Sequence, residues 1–138
     1  MKCRQLLIVA IVAACSGPVL AQGCAENFVV EGTPMLTAMN FRTSQIFPSV
    51  EPSRAVGRLN QAMLAEGFSG IRIDRANGAL TALQETSGSG RPQTLRVVAR
   101  KAGKGTKVDA VFMIQPGQVA NADTIRAAMC RVVGGAQG

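Results

Sequence analysis

The sequence predicts an α+β domain of strand, helix, four strands and helix, with an antiparallel sheet and both helices packed on one face. Three observations carry this. Val56, Leu59 and Met63 recur at helical spacing after Pro52, with Ala55 and Ala62 widening the stripe. Leu95, Val97 and Ala99, then Val108, Ala110, Phe112 and Ile114, occupy every second position, as half-buried strands require. Ile125, Ala128, Met129 and Val132 return to helical spacing near the end of the chain. Helices with one apolar stripe and strands with one apolar face bury them against each other, in two layers around one core.

The first segment precedes that domain. Lys2 and Arg4 form a short basic head, and Leu6 to Ala14 is an apolar run too short to span a bilayer. Gly17-Pro18 breaks it, and Val19-Leu20-Ala21 suits signal peptidase, so residues 1–21 read as a bacterial secretory signal. Two other cleavage points compete. Val12-Ala13-Ala14-Cys15 resembles the lipobox of bacterial lipoproteins, which would remove residues 1–14 and lipidate Cys15; Gly23-Cys24 fits that motif less well. A lipidated cysteine is a strong anchor, at ~0.8 kcal/mol per buried methylene.

Cys3 falls within the signal, which leaves Cys24 and Cys130. In an oxidising envelope an isolated pair reads as a disulfide. At ~100° per residue, Cys130 lies well away from the buried stripe of its helix, placed to meet a segment crossing the helix's back. Residues 22–38 would be that strap. Closing a loop of ~100 residues contributes about 4.7 kcal/mol in the chain-entropy model.

Within the strap, Phe28-Val29-Val30 is a short apolar burst ended by Gly32 and Pro34. Met39, Phe41 and Phe47 share one side of a strand closed by Pro48, which opens a single domain over residues 39–133. Pro52 suits the first helical position, where its missing N–H is not needed. Gly67 suits the left-handed stop, with Phe68 folding back onto Met63. Ile71 and Ile73 alternate with Arg72 and Asp74, and Asn77-Gly78 marks a turn. A two- or four-residue loop there keeps Leu80 and Ala82 on the face of Ile73 and Ile71. Residues 86–93 form a flexible connection, residues 94–101 and 106–115 the last two strands, and Asn121 an N-cap for the final helix. Residues 134–138 read as a frayed tail. Over Met39 to Val133 this element order resembles the TBP-like and helix-grip domains, some of which belong to lipoproteins of outer-membrane assembly machinery. The resemblance implies a fold and no activity.

Composition narrows function by what it lacks. The 138 residues contain no His, Trp or Tyr, which removes the commonest general base and metal ligand and the best base-stacking platforms. Lys and Arg number 15 against 8 Asp and Glu; without Lys2 and Arg4 the balance is 13 against 8, net +5. Such a charge favours anionic neighbours, and solubility alone selects it too. Arg91, Arg96, Arg100, Lys101, Lys104 and Lys107 fall between Glu85 and Asp109 with no acid among them. On a hairpin, Arg96, Arg100 and Lys107 share the solvent face, with Lys101 and Lys104 at its tip. This is a candidate surface for an anionic partner, or a sheet face protected by charge against edge pairing. Ala102-Gly103-Lys104-Gly105-Thr106 lacks the spacing of a phosphate loop and reads as the hairpin turn. Met35, Met39, Met63, Met113 and Met129 would either line a soft apolar pocket or fill the core. Cys130 has no histidine to activate it as a nucleophile.

The expectation is a non-catalytic envelope module, without cofactor or metal, that holds an envelope protein or an anionic surface. It would meet the membrane only through a lipid anchor. The alternative is a carrier of a small apolar ligand, in a pocket between helix and sheet lined by Met, Leu and Phe. Export and the missing aromatics oppose nucleic-acid binding.

Overall fold

Alternation turns one side of each strand toward the two apolar helix stripes, and a single sheet results. The computed structural model describes residues 23–84 and 90–138. The secretory signal, the lipidation candidate Cys15 and residues 85–89 of the connection lie outside the described residues. The elements are β1 (Val29–Glu31), β2 (Met39–Phe47), α1 (Pro52–Ala65), β3 (Ser69–Asp74), β4 (Ala79–Gln84), β5 (Gln93–Ala102), β6 (Gly105–Ile114) and α2 (Ala122–Gly134). All strand pairs are antiparallel, in the order β1-β2-β6-β5-β4-β3.

Register decides which side chains meet the helices. Phe41 lies opposite Phe112, Phe112 opposite Leu95, and Leu95 opposite Ala82, so these four share one face. That face also holds Met39, Phe47, Leu80, Val97, Ala99, Val108, Ala110 and Ile114, all buried with the helix stripes in one core. Each such side chain contributes roughly 1.5–3 kcal/mol on burial, before the entropy of ordering is subtracted.

The ends of α1 form as expected. Pro52 opens the helix, and Gly67 takes φ +87° just beyond it. A β-carbon is disfavoured in that left-handed region. The stop lets the Phe68 N–H reach the Met63 carbonyl at 3.1 Å, and the Phe68 ring is buried. Asn121 caps α2, its Oδ1 accepting from the Thr124 N–H at 2.9 Å. The β3–β4 loop has four residues: Asp74 lies opposite Ala79 and Ile73 opposite Leu80.

The strap is fastened at several points. Cys24 and Cys130 form a disulfide, with Cα atoms 5.6 Å apart. The Thr43 hydroxyl donates to the Cys24 carbonyl, Asn27 donates to the Ser44 carbonyl at 2.9 Å, and Phe28 stacks on Phe41 at 6.2 Å. β1 then adds the outermost strand, with Glu31 paired to Arg42 at 2.9 Å.

Three expectations are corrected. The tail is not frayed: Gly135–Gln137 forms a 3-10 turn with Ala136 fully buried. Arg58 donates to the Gln137 carbonyl at 2.9 Å, and Gly135 lies so close to α1 that a Cβ would stand 2.5 Å from that of Ala62. The missing side chain brings the two helices together, and the tail follows. Ile73 stays 36% exposed, because β3 is the outermost strand and its register shifts between Ser69 and Arg72. In α2, Val133 is buried where Ala128 was expected; Ala128 is only half-buried.

Candidate ligand groove and basic hairpin

The first candidate site lies where α1 stops and α2 starts. The Gly67 stop turns Phe68 inward, and its ring meets that of Phe112 edge-on at 6.2 Å. Ile125 and Met129, one turn apart on α2, complete an apolar floor. With Ala128 and Val119 they line a cavity of about 310 Å³. That volume lies at the lower end of the range for small-molecule sites. Val119 stands at its edge, 80% exposed.

The polar groups of this groove are few and specific. Gln84 and Gln93 lie opposite each other on β4 and β5, side by side on the helix-facing side. Gln93 is only 8% exposed. Among the described residues its side-chain amide has no hydrogen-bond partner, and neither of its polar atoms is sealed from the cavity. Asn121 and Thr124 line the α2 end, already engaged with each other. Among the described residues Glu66 is the only ionisable one in the wall, and Arg131 takes both its oxygens at 2.6 and 3.0 Å. That pairing holds the Arg131 guanidinium still more firmly protonated than usual.

The second candidate lies at the opposite end of the sheet. Arg100 and Lys107 face each other across the β5–β6 hairpin, and Lys101 lies opposite Thr106 near its tip. Arg96, Arg100 and Lys107 lie on the face turned away from the helices, since Leu95, Val97, Ala99 and Val108 face inward. Like charges directly opposite destabilise a strand pair. Asp109 answers both, 2.6 Å from Arg100 and 3.4 Å from Lys107. A hollow of about 500 Å³ beside the start of α1 is lined by Arg75, Arg100 and Lys101, all exposed. Lys104 sits in the tight turn with Gly103.

Arg91 does not join this group. It precedes β5 at the groove end, where its guanidinium donates to the Pro116 carbonyl at 2.8 Å and its carbonyl accepts from Gln118 at 3.0 Å. The methionines also disperse. Met39 and Met63 are core, Met35 is exposed, Met113 is half-buried on the open face, and only Met129 reaches the groove. Among the described residues, no three acidic or cysteine side chains converge as metal ligands would.

Known proteins add nothing to this geometry: no family model and no curated protein matches the chain.

The groove residues that sequence reasoning missed are Phe68 as a wall, Gln84 and Gln93. One signal pointed to Gln93. The inward alternation of Leu95, Val97 and Ala99, continued one step back, lands on a glutamine. A polar residue at an inward position is the informative exception in such a pattern.

Proposed function

We propose that this chain is an exported, non-catalytic binding module of the bacterial envelope, and that it carries a small apolar ligand in the groove between α2 and the sheet. The observation that carries the reading is the groove itself, with an aromatic and aliphatic floor and a small number of polar groups at one side. That combination is what small-molecule sites share. Export is supported by the signal-like residues 1–21 and by the Cys24–Cys130 disulfide, which belongs to an oxidising compartment. No helix among the described residues is long and apolar enough to cross a membrane. Diffusible and Cys15-anchored forms both accommodate the groove.

The basic hairpin supports capture of an anionic envelope partner less well. Its cations are exposed apart from the half-buried Lys107, and Asp109 already pairs with two of them. Exposed pairs of this kind contribute only about 0–1 kcal/mol.

The test is fluorescence titration with N-phenylnaphthylamine, an uncharged dye that brightens in apolar surroundings. Saturable brightening that Ala128→Phe abolishes, with melting unchanged, is the expected result. Brightening that persists undiminished in Ala128→Phe would place the dye elsewhere and remove the reading.

A further inference from the structure

We infer that the groove selects ligands whose polar end is an uncharged carboxamide or peptide-like group, read by the side-chain amides of Gln93 and Gln84. The inference rests on the groove being a ligand site and adds what the ligand must look like.

An amide buried without a partner is costly, of the order of 1–3 kcal/mol, so buried amides find partners in nearly all structures. Gln93 is only 8% exposed and has no protein partner among the described residues, but its amide atoms open onto the groove, where solvent reaches them until a ligand shuts it out. A ligand that fills the groove displaces that solvent, and only one that pairs with the amide avoids leaving it unsatisfied. A glutamine amide offers both an acceptor and donors from one planar group. Its complement is another planar group with the same pair, which describes a carboxamide. Gln84, directly across on β4, presents a second such group beside it. The head site therefore has a donor–acceptor face two amides wide, next to the apolar floor of Phe68, Phe112, Ile125 and Met129.

Charge decides against the commonest amphiphiles. A carboxylate entering this wall would meet no cation, since neither lysine nor arginine lines the groove among the described residues. Among the described residues its one ionisable neighbour, Glu66, is itself an acid already held by Arg131. Burying an unpaired carboxylate is far more expensive than burying a paired amide. An ammonium head fares no better, because the Glu66 charge is already neutralised by Arg131. An apolar chain with neither donor nor acceptor would fill the floor and leave Gln93 as it is.

The experiment is competition against N-phenylnaphthylamine on the disulfide-bonded protein, using octanamide and octanoate at neutral pH. These probes share chain length and differ in the head. Octanamide should displace the dye at a concentration at least about tenfold lower than octanoate, the factor expected when a site's hydrogen-bonding group is otherwise left unpaired. Gln93→Leu should remove that preference while the dye still binds. If Gln93→Leu melts early, Gln93→Met carries the same test with an unbranched side chain. Dye binding with octanoate competing as well as octanamide would overturn the head-group inference and leave the groove standing. A preference that survives both Gln93 substitutions would overturn the assignment to Gln93. Failure of the wild-type protein to bind the dye would overturn the groove reading and this inference together.

Discussion

At one end of the sheet, five cations cluster around the β5–β6 hairpin; at the other, the neutral amides of Gln84 and Gln93 line an apolar groove. By charge the first end dominates, yet the second is harder to account for by folding alone. Arg100 and Lys107 are accommodated by water and by Asp109, so nothing there is left unsatisfied. Gln93 is nearly buried, no described group answers it, and its amide atoms open onto the groove that a ligand would fill. The difference teaches that charge density is a poor guide to a binding site when solvent is within reach. A polar group that opens onto an apolar groove and has no protein partner is a better one.

The strongest way to break the contrast is to remove the groove's wall. Phe112 packs against both Phe41 and Phe68, so Phe112→Ala should cost about 3–5 kcal/mol in chemical denaturation. A loss below about 1 kcal/mol would mean that the groove end is not built on the core. Replacing both Cys24 and Cys130 by serine should cost about 2–5 kcal/mol. The groove should survive this, since neither cysteine lines it, and the dye titration reports whether it does.

Changes at the hairpin end should be small. Asp109→Asn leaves Arg100 and Lys107 facing each other unanswered, with a loss of no more than about 1 kcal/mol that fades as salt is added. A loss that salt does not diminish would show that the hairpin carries structural weight beyond surface charge. The smallest effect belongs to Asp74, in the β3–β4 loop. Its carboxylate accepts from the Asn77 side chain at 2.7 Å and from the Asn77 N–H at 3.2 Å, which hold its pKa below the usual carboxylate value. A lowered folded-state pKa gives stability that is present above the unfolded value and lost as pH falls through the folded one. Amide protection in residues 74–79, corrected for the intrinsic exchange rate at each pH, should therefore fall at acid pH, and Asp74→Asn should flatten that dependence.

Periodicity made much of this fold legible. The stripe of Val56, Leu59 and Met63, the alternation along β5 and β6, and the stop at Gly67 are local signals, and each element formed where its signal lay. Cys130 was legible for the same reason: its angle on α2 depends only on residues around it. Other features depend on packing between distant segments. Gly135 reads as a chain end until Ala62 is known to lie against it. Ile73 reads as inward until β3 proves to be the outermost strand with a shifted register. The groove is the extreme case, because Phe68, Gln84, Gln93, Phe112 and Met129 come from five separate stretches that only the tertiary structure brings together. The basic run was prominent because its residues are close in sequence, and Arg91 shows the limit of that criterion. Close to the others along the chain, it is tied to the Pro116 carbonyl at the opposite end of the sheet.

The most direct test of the central claim is backbone and side-chain NMR during titration with N-phenylnaphthylamine, followed by an anionic detergent below its micelle concentration. The account predicts that the dye shifts Phe68, Gln93, Phe112, Ile125 and Met129 in a saturable way and leaves Arg96, Arg100 and Lys107 unmoved. Saturable shifts confined to the hairpin on adding the detergent, with the groove silent to the dye, would contradict it and return the function to the basic end.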